Sequence, residues 1–230
     1  HLRNRRQRQM CIRDRHIFGD EILNIKYYWF KRFNLDDIKL LISRTGWSSE
    51  YGYEIFLLDS SKGNKLYEIL MKEGRPLGLH AGHTSTIRRI EGGMLSYHSD
   101  MDINTNPLEL GMDKFIELDN KFNFIGKEAL IKINESGIKN KQVGLVIDTK
   151  PLKGPNTNKW RILYKNKCIG KVTSAVYSPR LELNIALAIV KIEYSDINSV
   201  FEIEIKDTLV NAKVVEKPFF DPKKLIAKQN

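Results

Sequence analysis

Six runs of β-branched and aromatic residues follow one another from Lys141 onward, and they constrain the fold more than any other feature of the chain. They cover 142–148, 160–165, 168–177, 185–192, 200–205 and 212–216. Short polar turns separate them, among them Lys165-Asn166-Lys167 and Asp196-Ile197-Asn198. Runs of this length and composition read as strands. Six of them at such spacing predict a small six-stranded β-barrel or a sandwich.

Upstream the pattern is mixed. Residues 38–43 and 52–58 run apolar or alternate as strands. Residues 60–63 open a helix over 64–72, with Leu66, Ile69 and Leu70 at helical spacing and Gly74 as its stop. Further helices are predicted over 84–94 and over 124–136, the latter ended by Gly137. This order predicts an α+β class, a mixed layer followed by the barrel, with the boundary near 137–141.

The chain has 230 residues, 41% hydrophobic and 10% aromatic. That is enough apolar material for one large domain or two small ones, and it excludes a disordered chain. No apolar run approaches the length of a bilayer span, and no apolar region follows the basic start as in a secretory leader. Two cysteines, Cys11 and Cys168, provide no disulfide framework and fit a reducing compartment. A cytoplasmic protein without a membrane partner is expected.

The formal net charge of +10 would suit a nucleic-acid partner. Half of that charge sits in residues 1–15, where six arginines, from Arg3 to Arg15, face the single acid Asp14. Elsewhere lysines stand beside acids as on an ordinary solvated surface, so no nucleic-acid partner is expected. Met10-Cys11-Ile12-Arg13-Asp14-Arg15 resembles the in-frame translation of a sequencing adaptor. Residues 1–15 are therefore read as a non-native leader, the alternative being a basic arm that folds on RNA.

The stretch Ser43-Arg44-Thr45-Gly46-Trp47-Ser48-Ser49-Glu50-Tyr51-Gly52-Tyr53-Glu54 joins two strand-like segments. Its glycines and small hydroxyl residues can bring backbone close to a flat ligand and aim a carboxylate at it. His80, His83, His98, Asp100 and Asp102 could supply nitrogen and oxygen ligands to a metal. The first pair lies in a Gly-rich loop without helical register and no cysteine joins it, so no metal is expected. Cys168, alone in a predicted strand, reads as a packed small hydrophobe. No phosphate-binding loop, dinucleotide fingerprint or nucleophile elbow is present.

That stretch resembles the S-R-T-G-[YW]-[ST]-x-E-x-G-[FY]-E signature of the folate-dependent aminomethyltransferase family, which includes the T-protein of the glycine cleavage system. Six further segments resemble the family in order: Arg89-Ile90-Glu91 through Tyr97, Asn106-Pro107 through Gly111, Phe124-Ile125-Gly126-Lys127 through Leu130, Gly170 through Ser178-Pro179, Asn184 through Ala188, and Lys217-Pro218-Phe219-Phe220. The wording is closer to the demethylases of dimethylsulfoniopropionate. The resemblance implies a split β-α-β layer, present here only in part, followed by the barrel. It divides the chain into a leader at 1–15, a folate-binding α+β domain at 16–137 and a barrel domain at 138–230. It also implies N-terminal truncation, because family members carry a long portion before this motif, including the catalytic aspartate. No catalytic residue is assigned in this sequence, and the fragment alone is expected to be inactive.

Tetrahydrofolate is the implied cofactor, and Glu54 the implied contact to its pterin ring. A carboxylate can accept two parallel N–H bonds from a 2-amino-pyrimidinone edge. Read without the resemblance, Glu54 is an exposed strand residue beside a lysine. Trp47 stands where the family places an aromatic and either stacks on the ligand or packs in the core. Arg44 and Glu50 are read as holding the turn. Two positions depart from T-proteins: Ser85 aligns with a folate-binding arginine, and no tyrosine follows Phe219-Phe220. The expected reaction is methyl transfer from a small sulfonium donor, dimethylsulfoniopropionate, to tetrahydrofolate. The alternatives are aminomethyl transfer from a lipoyl-bearing protein and a non-catalytic folate-binding or interaction module.

Overall fold

A computed structural model describes residues 14–228. Most of the expected leader, Cys11 included, lies outside the described residues. The chain divides into two compact units. One runs to Ser85 and takes back the C-terminal stretch from Lys223; the other is Thr86–Pro222.

In the first unit β1 (Phe30–Leu35), β2 (Ile38–Ser43) and β3 (Glu54–Leu57) form an antiparallel sheet in that order. The register pairs Phe33 with Leu40 and Leu40 with Leu57, so these three side chains share one face. That face packs with Ile22, Ile25, Ile38 and Ile42 against Leu66, Ile69 and Leu70 of α1 (Gly63–Gly74). Asp59 starts the helical segment by accepting from the Ser61 amide at 3.0 Å. Strand β1 has no counterpart in the sequence reading. Phe33 is its one buried residue, and charged positions on both sides hide the alternation.

In the second unit six strands close an antiparallel barrel in the order β4-β7-β6-β5-β8-β9. They are β4 (Asn140–Ile147), β5 (Trp160–Tyr164), β6 (Lys167–Ser178), β7 (Leu183–Lys191), β8 (Val200–Ile205) and β9 (Thr208–Val215). The α+β class and the six-stranded barrel are as the sequence predicts. Lys165 and Asn166, and again Lys206 and Asp207, take left-handed backbone at the two tightest hairpins. Paired left-handed residues match the right-handed twist of the flanking strands. Val143, Leu145, Ile162, Val190, Phe201 and Ile203 fill the interior. Strands β6 and β7 are buried on both faces: Val176, Ile185 and Leu187 pack outward on Ile90 of α2 (Thr86–Glu91). This double burial explains why β7 reads as a nearly unbroken apolar run.

Helix α2 is shorter than the 84–94 predicted. Helix α3 (Lys127–Ser136) starts late because Gly126 precedes it with φ at 89°. Among the described residues no helix is long and apolar enough to cross a membrane.

Candidate functional site

The connection from β2 to β3 is built around its two ends. Ser43 closes β2 and Glu54 opens β3, and the two are register partners. The Thr45 hydroxyl donates to Glu54 Oε2 and lies 2.6 Å from the Ser43 hydroxyl. A hydroxyl has one proton, so Ser43 must donate to Thr45 while Thr45 donates to the carboxylate. Two short hydroxyl side chains thereby hold Glu54 in one orientation. Glu54 is exposed, and Oε1 has no hydrogen-bond partner among the described residues.

The rest of the connection is held from below. Arg44, 1% exposed, lies 3.9 Å from the Tyr51 ring centroid and donates to the carbonyls of Ile25 and Ala227. Stacking plus carbonyl contacts suit a planar guanidinium. Tyr51 and Tyr53 are joined through their hydroxyls at 2.8 Å, and Tyr53 donates to the Ile22 carbonyl. The structural role expected for Arg44 is thus observed. Trp47 lies at the tip of the connection and is 38% exposed, which removes the reading of a core tryptophan.

A second polar constellation lies in the barrel unit and is fully buried. Asp100 Oδ2 accepts from Arg89 Nη1 at 2.8 Å and from the Ser96 amide at 2.9 Å. Its Oδ1 accepts from the hydroxyls of Thr173 at 2.6 Å and Ser174 at 2.7 Å. The β6 register shifts between Val172 and Ser174, and this irregularity lets two consecutive side chains address one carboxylate. Glu91 repeats the theme, accepting from the Ser178 hydroxyl at 2.6 Å and pairing with Arg180 at 3.4 Å. Both carboxylates are spent on the fold.

Comparison with known proteins finds two family models in sequence order, the first of which extends past Ser85 into the second compact unit. Residues 17–120 match the model of the GCVT N-terminal domain, and residues 140–221 match the glycine cleavage T-protein C-terminal barrel domain. The chain belongs to the glycine cleavage T-protein family. It is 34% identical over 213 residues to an aminomethyltransferase of Prochlorococcus marinus, covering 90% of this chain and 55% of that one. An aminomethyltransferase of Desulfitobacterium hafniense is 34% identical over 205 residues, with 87% and 54% covered. The chain thus spans about half the length of these curated relatives. The crystal structure of glycine cleavage system aminomethyltransferase T from Bartonella henselae superposes with a TM-score of 0.71 at 20% identity, over 86% of this chain and 54% of that one. At that identity the likeness speaks for the fold.

For this member of the T-protein family several sequence expectations change. Asp100 is the buried partner of Arg89, and His98 is exposed against the Tyr97 ring at 4.5 Å. His80 and His83 lie exposed in the loop before α2. Cys168 is exposed, not packed, because the first two residues of β6 project beyond the buried part of the strand. Two recesses in the barrel unit contain neither Glu54 nor Trp47. One, of about 330 Å³, is lined by Lys141, Gln142 and Lys217 among others. Burial there pushes Lys217 down to about 8, with Lys141 and Lys114 adding to the effect and Asp100 opposing it. The other, of about 580 Å³, includes Trp160, Lys171 and Cys168.

Proposed function

We propose that this chain is part of a tetrahydrofolate-dependent aminomethyltransferase whose donor is an aminomethyl group on a lipoyl-bearing carrier protein. Glu54 is the observation that carries the reading. Its carboxylate is held by Thr45 on one oxygen, and the other oxygen is left for a ligand at an exposed sheet edge. A carboxylate so fixed fits the paired N–H groups of a pterin edge. Trp47, exposed on the same connection, offers a flat face to the same ligand. Tetrahydrofolate, when bound, supplies the nitrogens that take up the one-carbon unit. The residues of this chain bind and orient it, and proximity to the donor does much of the remaining work.

The names of the relatives favour aminomethyl transfer over the demethylation of dimethylsulfoniopropionate suggested by motif wording. The sulfonium donor stays as a second reading for one reason: the resemblance aligns Ser85 with the position of a folate-binding arginine in T-proteins.

Calorimetry of the chain with tetrahydrofolate tests the proposal. Binding is expected, and Glu54→Ala should weaken it by about 1–3 kcal/mol, the range for hydrogen bonds to charged groups. With the chain joined to the portion of its relatives that it does not span, release of ammonia from an aminomethylated lipoyl carrier supports the first reading. Methyl transfer from dimethylsulfoniopropionate without a carrier supports the second. Absence of folate binding removes both.

A further inference from the structure

Inward and outward positions alternate along β4. Val143 and Leu145 fill the barrel interior, so Gln142 and Gly144 face outward. The outer side of Gly144 is closed by Phe219, whose ring a Cβ there would meet at 3.0 Å. Strand β9 pairs with β4 only as far as Gly144 and Val215. Where that ladder ends, the recess of about 330 Å³ is lined by residues 141–144 and 214–217, with Ser195 and Asp196 beside them. All of these residues belong to the second compact unit.

Gln142 is 2% exposed, yet neither its Nε2 nor its Oε1 has a hydrogen-bond partner among the described residues. Buried amides are ordinarily paired, because an unpaired one keeps its desolvation cost. Lys217 lines the same recess, partly buried, and has no ion-pair partner among the described residues. Lys141 and Lys114 add positive charge around it. Asp100 acts on it with the opposite sign but is already committed to four donors. Asp196 and Glu216 also line the recess, both exposed, where solvent screens them. These groups specify an occupant twice over. Unpaired ammonium charge asks for an anion. An amide open at both ends asks for an acceptor and a donor on the same molecule. Ionised carboxylates and sulfate only accept; an oxyanion that keeps a proton, such as hydrogen phosphate, does both.

We propose that this recess on the barrel is a binding site for a protonated phosphate group. Lys217 meets the charged oxygens, and Gln142 donates to one oxygen while accepting from the P–OH. Lys141, exposed at the rim, adds charge that draws the anion in. The site is independent of Glu54 and of the folate reading.

Calorimetry of the whole chain at about pH 6 tests the site with inorganic phosphate, methyl phosphate and sulfate. At that pH both phosphates keep a proton on much of the population, and sulfate has none. Inorganic phosphate is expected to bind about tenfold tighter than sulfate, the effect of one added hydrogen bond to a charged group. Gln142→Met should remove that preference, and Lys217→Met should weaken both anions about tenfold. Methyl phosphate binding as tightly as inorganic phosphate assigns the site to a phosphate ester, and weaker binding assigns it to free phosphate. Should Gln142→Met fail to fold, NMR of the wild-type chain gives the same answer. The side-chain amide signals of Gln142 should shift at phosphate concentrations where sulfate leaves them in place. Equal affinity for phosphate and sulfate, or no binding of either, overturns the proposal. So does loss of phosphate binding once the chain is joined to the portion of its relatives that it does not span, because protein then fills the recess.

Discussion

At the scale of single residues, the family motifs in this chain divide by burial into two kinds of work. Arg89, Glu91, Asp100, Thr173, Ser174 and Ser178 are all buried, and each has a partner within the barrel unit. Glu54 and Trp47 are exposed instead, at the connection from β2 to β3. The Arg89–Asp100 pair makes the first kind testable. Asp100→Asn leaves a guanidinium buried without its counter-charge, and urea denaturation should show a loss of about 3–5 kcal/mol. Replacing both partners together, with Arg89→Met and Asp100→Leu, should recover much of that loss, because an apolar pair has no charge to desolvate. A double variant as unstable as Asp100→Asn would mean that the four hydrogen bonds, not the charge, hold the site. The sequence set Asp100 among groups able to ligate a metal and argued against that reading. It did not show the buried site, because two of the four partners of Asp100, Thr173 and Ser174, come from β6, far along the chain. A bulge that aligns Thr173 with Ser174 leaves no local pattern to read.

At the scale of elements, the barrel was legible and the small sheet was only partly so. Strands β4 to β8 have interior positions filled by Val, Ile, Leu, Ala and Phe, and they read as strands by their β-branched and aromatic runs, nearly unbroken in β7 where both faces are buried. Strand β9 starts at Thr208 instead of residue 212, because Thr208 and Leu209 are exposed beside the hairpin and carry little pattern. Strand β1 escaped detection because its outward aromatic, Phe30, and its inward one, Phe33, break the alternation. The signal that could have found it is Asp36-Asp37, a two-residue turn ahead of β2, with Asp36 in left-handed backbone. With β1 unseen, the pairing that lines up Phe30, Ser43 and Glu54 across the sheet was invisible too. One barrel position gives a prediction at this scale. A Cβ on Gly170 would lie 2.3 Å from the Ile189 carbonyl oxygen and 2.8 Å from Val190 Cα. Both neighbours are backbone of the paired strand β7, which cannot step aside without breaking the ladder. Gly170→Ala should therefore cost about 1–3 kcal/mol or more in thermal or urea unfolding. An unchanged midpoint would show that β6 and β7 separate more easily than their pairing suggests.

At the scale of the whole molecule, the two units differ in how completely they protect their backbone. The barrel closes on itself, since β4 pairs with both β7 and β9, and every barrel strand has two neighbours. Among the described residues the sheet of the first unit has no strand beyond β1 or β3, and one of its faces carries exposed aromatics. Amides exchange with solvent through local opening, and opening is easiest where edges are free and apolar contacts few. Hydrogen exchange followed by mass spectrometry should therefore find the slowest amides in β4, β6 and β7. Those of β1 and β3 should exchange well before them. If Glu54 and Trp47 contact folate, adding 5-formyltetrahydrofolate should slow the β2–β3 connection selectively, because a bound state must release its ligand before it opens. Unchanged exchange in that connection, with the ligand bound, would remove Glu54 and Trp47 as its contacts.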